Sequence, residues 1–134
     1  MVDTMVYGWL IREREHTRAD EYRALVGQAR VILALQTVAE VRSGALLAGW
    51  GELRTRRLER SLSRSRVVLP DDDLATVYAK LRNDCHRIGH ALAAKDHAGD
   101  LWIAATAVRL GLPLVSDDGI FEAVPGLRLL SADT

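Results

Sequence analysis

Short apolar runs alternate with longer segments of helical periodicity along this chain. The run at residues 31–35, VILAL, is continuous and begins with β-branched side chains, so it predicts a strand buried on both faces. Shorter runs predict further strands at residues 67–69, 112–115 and 127–130, with Val2 as the stub of the first strand. Apolar spacings of three and four predict helices at residues 4–14, 18–26, 36–48, 52–63 and 70–88, and a last one that Asp100 opens and the Gly-Leu-Pro turn at 111–113 ends.

The alternation of strands and helices predicts the fold class. It favours an α/β protein with three layers, α/β/α, in which helices cover both faces of a central parallel sheet. Right-handed crossovers between the strands would place their carboxyl ends at one edge, where such sheets bind ligands. The length of 134 residues suits one domain spanning residues 1–134, and the chain contains no internal repeat, low-complexity tract or linker.

Four acidic residues fall at the predicted edge of the sheet. Asp3, Glu40 and Asp118 each follow an apolar strand within a few residues, and Asp100 opens a helix of small residues that can lie close to the sheet. Each acid also has a structural explanation: Asp3 and Asp100 can cap helices, Glu40 fits a capping box in which Thr37 is the N-cap, and Asp118 belongs to an Asp-Asp-Gly turn. Taken singly, the structural explanation is favoured at every position.

Taken together, four carboxylates at one edge favour a cation site. Their mutual repulsion would raise pKa values and destabilise the fold unless a cation neutralises it. A set of oxygen ligands with no placed His or Cys prefers Mg²⁺, with Mn²⁺ as a substitute, over zinc. Mg²⁺ typically binds carboxylates together with substrate phosphate oxygens and lowers the pKa of bound water. The pattern therefore indicates metal-assisted hydrolysis of a phosphodiester.

Formal net charge is zero, but positive charge is concentrated in residues 42–66. This segment contains seven arginines and two glutamates, and arginine is the side chain best suited to bidentate phosphate contacts. The segment predicts an RNA-binding surface formed by Arg42, Arg54, Arg56, Arg57 and Arg60. A solvated helix face with Glu–Arg pairs explains the same pattern equally well.

The cysteine content and the hydropathy of the chain predict where in the cell the protein is located. Cys85 is the single cysteine, the N-terminus lacks the features of a signal peptide, and no apolar run reaches the roughly 18 residues of a membrane span. A cytoplasmic protein is expected. His86 and His90 accompany Cys85 at helical spacing, but without a further ligand we interpret them as polar surface residues rather than a soft-metal site. We interpret His97 as a histidine of a surface loop.

Four segments carry a family resemblance, in this order along the chain: VDT from residue 2, TVAEVRSGA from residue 37, GDLWIAATA from residue 99 and LPLVSDDGIF from residue 112. They resemble the PIN-domain ribonucleases and, among these, the VapC-type toxins of bacterial toxin–antitoxin pairs. The resemblance covers nearly the whole length, and its last two segments together are the most specific part.

The resemblance implies a PIN-like fold and a Mg²⁺-dependent endoribonuclease. Asp3 and Asp100 would be the main metal ligands, and Glu40 and Asp118 would complete the catalytic pocket. The resemblance further implies an RNA substrate, a homodimer, and a small antitoxin whose C-terminal segment blocks the site. We expect three further residues to lie around these ligands and to support them: Thr4, Ser116 and Asp96.

Two positions depart from the family pattern. Only Met1 and Val2 precede Asp3, which predicts a shortened first strand, and Met5 stands where relatives often have Asn or Ser. These departures leave open a PIN-fold module that binds RNA or a protein without cutting. A phosphatase of the haloacid dehalogenase type ranks lower, because those enzymes need a second Asp where this chain has Met5.

Overall fold

A computed structural model describes residues 1–12 and 14–134. Its helices are α1 (Thr4–Leu10), α2 (Thr17–Val26), α3 (Leu35–Leu47), α4 (Glu52–Arg64), α5 (Asp72–Arg87) and α6 (Ala98–Leu110). Its strands are β1 (Ile32–Ala34), β2 (Arg66–Val68), β3 (Leu114–Val115) and β4 (Leu129–Leu130). Three single 3₁₀ turns lie at Ala91–Ala93, Lys95–His97 and Gly119–Phe121.

The N-terminal residues connect two parallel strand pairs. β1 pairs with β2, and β3 pairs with β4, both in parallel. On one side the Val2 N–H donates to the Ile32 carbonyl at 3.2 Å; on the other, the Val115 N–H donates to Met1 at 2.8 Å and the Asp3 N–H donates to Val115 at 3.1 Å. Val2 itself forms one parallel bridge, to Val115. The predicted strand stub therefore occupies the centre of the strand arrangement, and Asp3 leaves from that centre.

Successive strand residues contribute to two separate cores, one on each face. Ala34 and Leu114 belong to a core that contains side chains of α5 and α6, such as Leu81 and Leu101. Their neighbours Leu33 and Val115 belong to a second core, with side chains of α1, α2 and α4. Because side chains alternate across a strand, burial on both faces requires helices on both faces. The predicted three-layer α/β/α fold is confirmed.

Some of the helices begin or end at residues other than those predicted. The first helix ends at Leu10 rather than at residue 14, because Arg12 already donates to Trp9, three residues back; part of the predicted extension, residue 13, lies outside the described residues. The last long helix begins at Ala98, two residues before Asp100. No helix in the described ranges is long and apolar enough to cross a membrane.

Candidate active site

Asp3 is a buried carboxylate at the centre of the fold. It is 4% exposed. One oxygen, Oδ1, accepts the Val6 N–H at 2.8 Å and caps α1, so the capping role is confirmed for this residue. The other, Oδ2, accepts the Ser116 hydroxyl. Burial, and to a smaller extent the charges of Asp118 and Asp100, raise the pKa of Asp3 to about 6.

Ser116 connects two of the predicted acids. Its buried hydroxyl donates to Asp3 and accepts the Asp118 N–H at 3.0 Å, directly after β3 ends. Asp118 in turn accepts the Ile120 N–H at 3.0 Å and caps the short turn Gly119–Phe121. Asp118 is exposed, and its charge contributes to the raised pKa of Asp3.

Glu40 lies in α3, and its predicted capping box is wrong. The helix begins at Leu35 with Ala34 as its N-cap, which places Thr37 inside the first turn, fully buried, instead of at the cap. Sequence reasoning placed the helix start too late because the apolar strand runs into the helix with no polar residue between them. Glu40 is therefore not explained by capping.

Both oxygens of Glu40 have partners. The Thr4 hydroxyl donates to Oε2, and it also lies 3.2 Å from the Thr37 hydroxyl. The Gln36 amide donates to Oε1 at 3.0 Å. Thr4 thus lies where the prediction put it, against a catalytic candidate, whereas sequence reasoning did not single out Gln36.

Asp100 is the third residue of α6 and is half-buried. Its Oδ2 lies 3.2 Å from Nδ1 of His97. Burial raises the pKa of Asp100, and the charges of Asp118 and Glu40 raise it further. His97 was expected to be a histidine of a surface loop; it instead occupies the N-cap position of α6 and contacts a site residue.

The four acids, Asp3, Glu40, Asp100 and Asp118, form what we call the acidic quartet. Each lies close enough to at least one other for their charges to interact, as the raised pKa values of Asp3 and Asp100 show. Among the residues that the structure describes, no lysine or arginine forms an ion pair with the quartet. The structure brings the four predicted acids together, whereas their catalytic and metal-binding roles stay predictions.

The donor set of the quartet fits a hard divalent cation. Four carboxylates without a compensating protein cation are the ligands that Mg²⁺ prefers. Within the described ranges, however, no three Asp, Glu, His or Cys side chains are already arranged closely enough to hold a metal ion. The carboxylates are held instead by Ser116, Thr4, Gln36 and His97, so an entering cation would exchange some of these hydrogen bonds for coordination.

Asp117, the neighbour of Asp118, has different hydrogen-bond partners. It accepts hydrogen bonds from Nε of Arg18 at 2.9 Å and from the Tyr22 hydroxyl at 2.8 Å. The guanidinium lowers the pKa of Asp117. Only Asp118 of this acidic pair remains for the quartet, in agreement with the position that the resemblance selected.

The remaining predicted residues have mixed surroundings. Asp96 is exposed in the turn Lys95–His97 and makes no side-chain hydrogen bond or ion pair within the described part of the chain, so its supporting role stays a prediction. His90 follows α5 instead of lying on its surface, and its ring bonds the Glu122 carbonyl at 2.7 Å and the Leu92 N–H at 3.0 Å. That correction gives His90 a structural role, and Cys85 is buried in the core.

Several of the arginines predicted to bind RNA already have protein partners. Arg42 forms two hydrogen bonds of 2.9 Å with Glu59, Arg56 pairs with Glu52, and Arg54 stacks 3.8 Å above the ring of Trp50. Glu–Arg pairing thus accounts for Arg42 and Arg56, as the alternative interpretation proposed. Arg60 is exposed on α4. Their contact with RNA stays a prediction.

A groove that sequence reasoning missed runs beside the quartet. It has a volume of about 1030 Å³, and α1, α3 and α4 form its walls. Thr4, which bonds Glu40, is one of its lining residues. Its apolar lining includes Met5, Trp9, Val41 and Trp50, and its polar lining includes Arg12, Arg14, Arg54 and Arg57.

Comparisons with known proteins bear on the family of this chain. A profile of the PIN domain matches residues 1–127. The chain is 34% identical over 99 residues to ribonuclease VapC5 of Mycobacterium tuberculosis, covering 72% of this chain and 70% of that protein.

Solved structures are also similar to this chain over nearly its whole length. The structure of VapBC-1 from nontypeable Haemophilus influenzae matches with a TM-score of 0.75 and 25% identity, over 100% of this chain and 98% of that one. VapBC-5 from Mycobacterium tuberculosis, a member of the VapBC family of toxin–antitoxin systems, matches with a TM-score of 0.67 and 27% identity, over 97% and 94% of the two chains.

Proposed function

Because this chain belongs to the PIN-domain family, in its VapC-type branch, we propose that it is a Mg²⁺-dependent endoribonuclease restrained by a small antitoxin protein. The observation that carries the proposal is the acidic quartet: four carboxylates lie close enough for their charges to interact, and no lysine or arginine among the described residues pairs with them. RNA supplies phosphate oxygens that complete the coordination of a hydrated divalent ion. The ribonuclease name of a relative that is 34% identical supports this choice of substrate.

Asp3 and Asp100 would hold the metal ion, with Glu40 and Asp118 completing its surroundings. When bound, Mg²⁺ lowers the pKa of water and offsets negative charge that develops on the phosphate. Ser116 fixes the orientation of the Asp3 carboxylate and, through the Asp118 N–H, the position of the neighbouring turn. Thr4 fixes Glu40 in the same way. The expected products of hydrolysis are RNA fragments with a 5′-phosphate.

The groove beside the quartet supports the antitoxin part of the proposal. Its apolar and arginine lining residues fit an amphipathic segment that carries acidic residues. Because Thr4 lines the groove and bonds Glu40, a segment bound there would lie next to the quartet and block it. The toxin–antitoxin system named for the VapBC-5 neighbour supports such a partner.

We further propose that the chain acts as a homodimer in the cytoplasm. Size-exclusion chromatography with light scattering would test whether it forms a dimer.

Cleavage of RNA by isosteric variants tests the enzymatic proposal. Wild type, Asp3→Asn and Asp100→Asn are compared on structured and single-stranded RNA with Mg²⁺, with Mn²⁺ and with EDTA. The expected result is cleavage by the wild type with either ion, none with EDTA, and loss in both variants. Asp84→Asn, an exposed acid on α5, is the matched control and should cleave normally. Cleavage that survives both quartet substitutions would exclude this site.

The second candidate function is RNA or protein binding without cleavage. The lack of a closed metal cage among the described residues favours it, and the exposed Arg60 would supply phosphate contacts. RNA binding that persists in EDTA, together with no cleavage under Mg²⁺ or Mn²⁺, would select this module over the enzyme. Weak binding that strengthens with Mg²⁺ would select the enzyme.

A further inference from the structure

Gly99 lies in the first turn of α6, directly before Asp100, and faces two side chains of α3. A Cβ atom at this position would lie 2.9 Å from Oε1 of Glu40 and 3.0 Å from Nε2 of Gln36. Real Cβ atoms essentially never show the shorter distance and rarely show the longer one, so any other residue here would displace Glu40 or Gln36 from its present position. Its backbone is not in the left-handed region, which means that space rather than conformation requires glycine here.

Gln36 and Glu40 are one helical turn apart on α3 and are bonded to each other at 3.0 Å. Thr4 holds the second oxygen of Glu40. The carboxylate is therefore fixed from two sides and lies against the turn that carries Asp100, whose pKa its charge raises. Without the space at Gly99, Glu40 and Gln36 could not both occupy these positions.

We propose that Gly99 and Gln36 are positioning residues, which hold the Glu40 carboxylate against the first turn of α6 so that Glu40 and Asp100 can act on the same divalent cation. The inference rests on the proposed function, because that function supplies the metal ion. Its structural basis is the arrangement of Gly99, Gln36 and Glu40. The residues that coordinate the cation are the carboxylates; Gly99 and Gln36 act only through Glu40.

The predicted consequence of a methyl group at Gly99 is selective. The atoms it would displace are the far ends of flexible side chains, not backbone. The fold can thus accommodate Gly99→Ala by moving the carboxylate, and alanine is also a better helix former than glycine. Stability should be kept while the position of Glu40 is lost.

Gly99→Ala is compared with Gly44→Ala, a glycine in α3 whose added Cβ would meet no atom within 4 Å. Three quantities are measured without antitoxin: the unfolding midpoint in EDTA, the Mg²⁺ Kd by calorimetry, and kcat and KM on RNA. Gly99→Ala should keep its midpoint and KM but weaken Mg²⁺ binding and lower kcat by about tenfold or more, the range for groups that orient metal ligands. Gly44→Ala should match the wild type in all three.

A double-mutant cycle with Glu40→Ala shows whether Gly99 acts through Glu40. In the Glu40→Ala background, Gly99→Ala should cause no further loss, because the carboxylate it displaces is gone. Gln36→Met, which keeps the side-chain length but removes the N–H donor, should weaken Mg²⁺ binding less than Gly99→Ala does, because Thr4 still holds one oxygen.

Two results would overturn the inference alone. One is wild-type Mg²⁺ affinity and kcat in Gly99→Ala; the other is a loss of the same size with and without Glu40. If the wild type itself neither binds Mg²⁺ nor cleaves RNA, the proposed function fails and this inference fails with it, so the two failures are distinguished by the wild-type measurement.

Discussion

Two acidic regions lie side by side in this molecule and have opposite electrostatic surroundings. In the first, the acidic quartet, burial and mutual repulsion raise the pKa of Asp3 and of Asp100. In the second, which we call the arginine cluster, Arg18 bonds Glu21, Asp117 and Asp133, and lowers the pKa of the two aspartates. The boundary between the regions falls between Asp117 and Asp118, which are adjacent in sequence.

The comparison shows which carboxylates the fold leaves for an external cation. An acid that already has a guanidinium partner gains little from a metal ion, and that partner would also repel the ion. An acid that is buried beside other acids is destabilised until a cation arrives. Counting acidic residues would not separate Asp117 from Asp118, whereas their partners do.

The largest expected effect separates these two neighbours. Asp118→Asn should lower Mg²⁺-dependent RNA cleavage by more than about a hundredfold, because losing a ligand costs more than losing a group that orients one. Asp117→Asn should cleave at nearly the wild-type rate. Both variants keep side-chain oxygens for the bonds to Ile120 and Tyr22. Equal losses in the two variants, measured as kcat/KM, would erase the distinction between the regions.

The next effect concerns the stability of the metal-free protein at different pH values. Burial raises the pKa of Asp3 from an ordinary value of 3.8 to about 6, so between these values the native state binds a proton more tightly than the unfolded chain. The contribution of Asp3 to stability therefore falls as pH rises through this window. Asp3→Asn should be more stable than wild type at pH 7.5 by up to about 3 kcal/mol.

This gain should disappear near pH 4, where the wild-type carboxyl is protonated in the native state. Denaturant unfolding in EDTA at both pH values provides the measurement. A gain that does not change with pH would mean that the carboxylate charge is not its cause.

Added Mg²⁺ should stabilise the quartet and leave the arginine cluster unaffected. At a concentration of one hundred times its Kd, an ion that binds only the native state raises the free energy of unfolding by about 2.7 kcal/mol. Thermal unfolding of the wild type and of Arg18→Gln should show this increase, and EDTA should reverse it. Asp100→Asn should show little of it. An increase of the same size in Asp100→Asn would locate the cation elsewhere.

The smallest expected effect on activity is that of Arg18→Gln, which disrupts the arginine cluster only. Because Arg18 lowers the pKa of Asp117 and Asp133, it contributes stability above their ordinary pKa, and that contribution is lost as pH falls through their native values. The variant should be less stable than wild type at pH 7, with a difference that shrinks below pH 4, while cleavage is unchanged. This pH dependence is opposite in sign to that of Asp3.

Much of the fold could be predicted from the local pattern of residues in the sequence. The apolar runs, the Gly111 end of α6 and the acidic turn after β3 are encoded within a few residues, and the structure places strands, a helix end and a turn at these positions. The capping box at Thr37 failed for a physical reason: the start of α3 is fixed by β1, which runs directly into it, and not by a polar cap.

The supporting contacts of the site could not be predicted in the same way. Gln36 and Gly99 matter because α3 and α6 touch. Nothing in the spacing along the chain shows that these two helices approach each other, whereas the contact of His97 with Asp100 joins residues only three positions apart. The division between Asp117 and Asp118 likewise depends on Arg18, which is 99 positions away from Asp117.

The hydrogen bond between Asp3 and Ser116 spans 113 positions of the chain. Oδ1 of Asp3 can accept the Val6 N–H as soon as the first helix forms, but Oδ2 has no partner until Ser116 joins the fold. Closing so large a loop is among the slower steps of folding. If the chain cleaves RNA as proposed, a folding intermediate that has not yet closed this loop would lack the complete site.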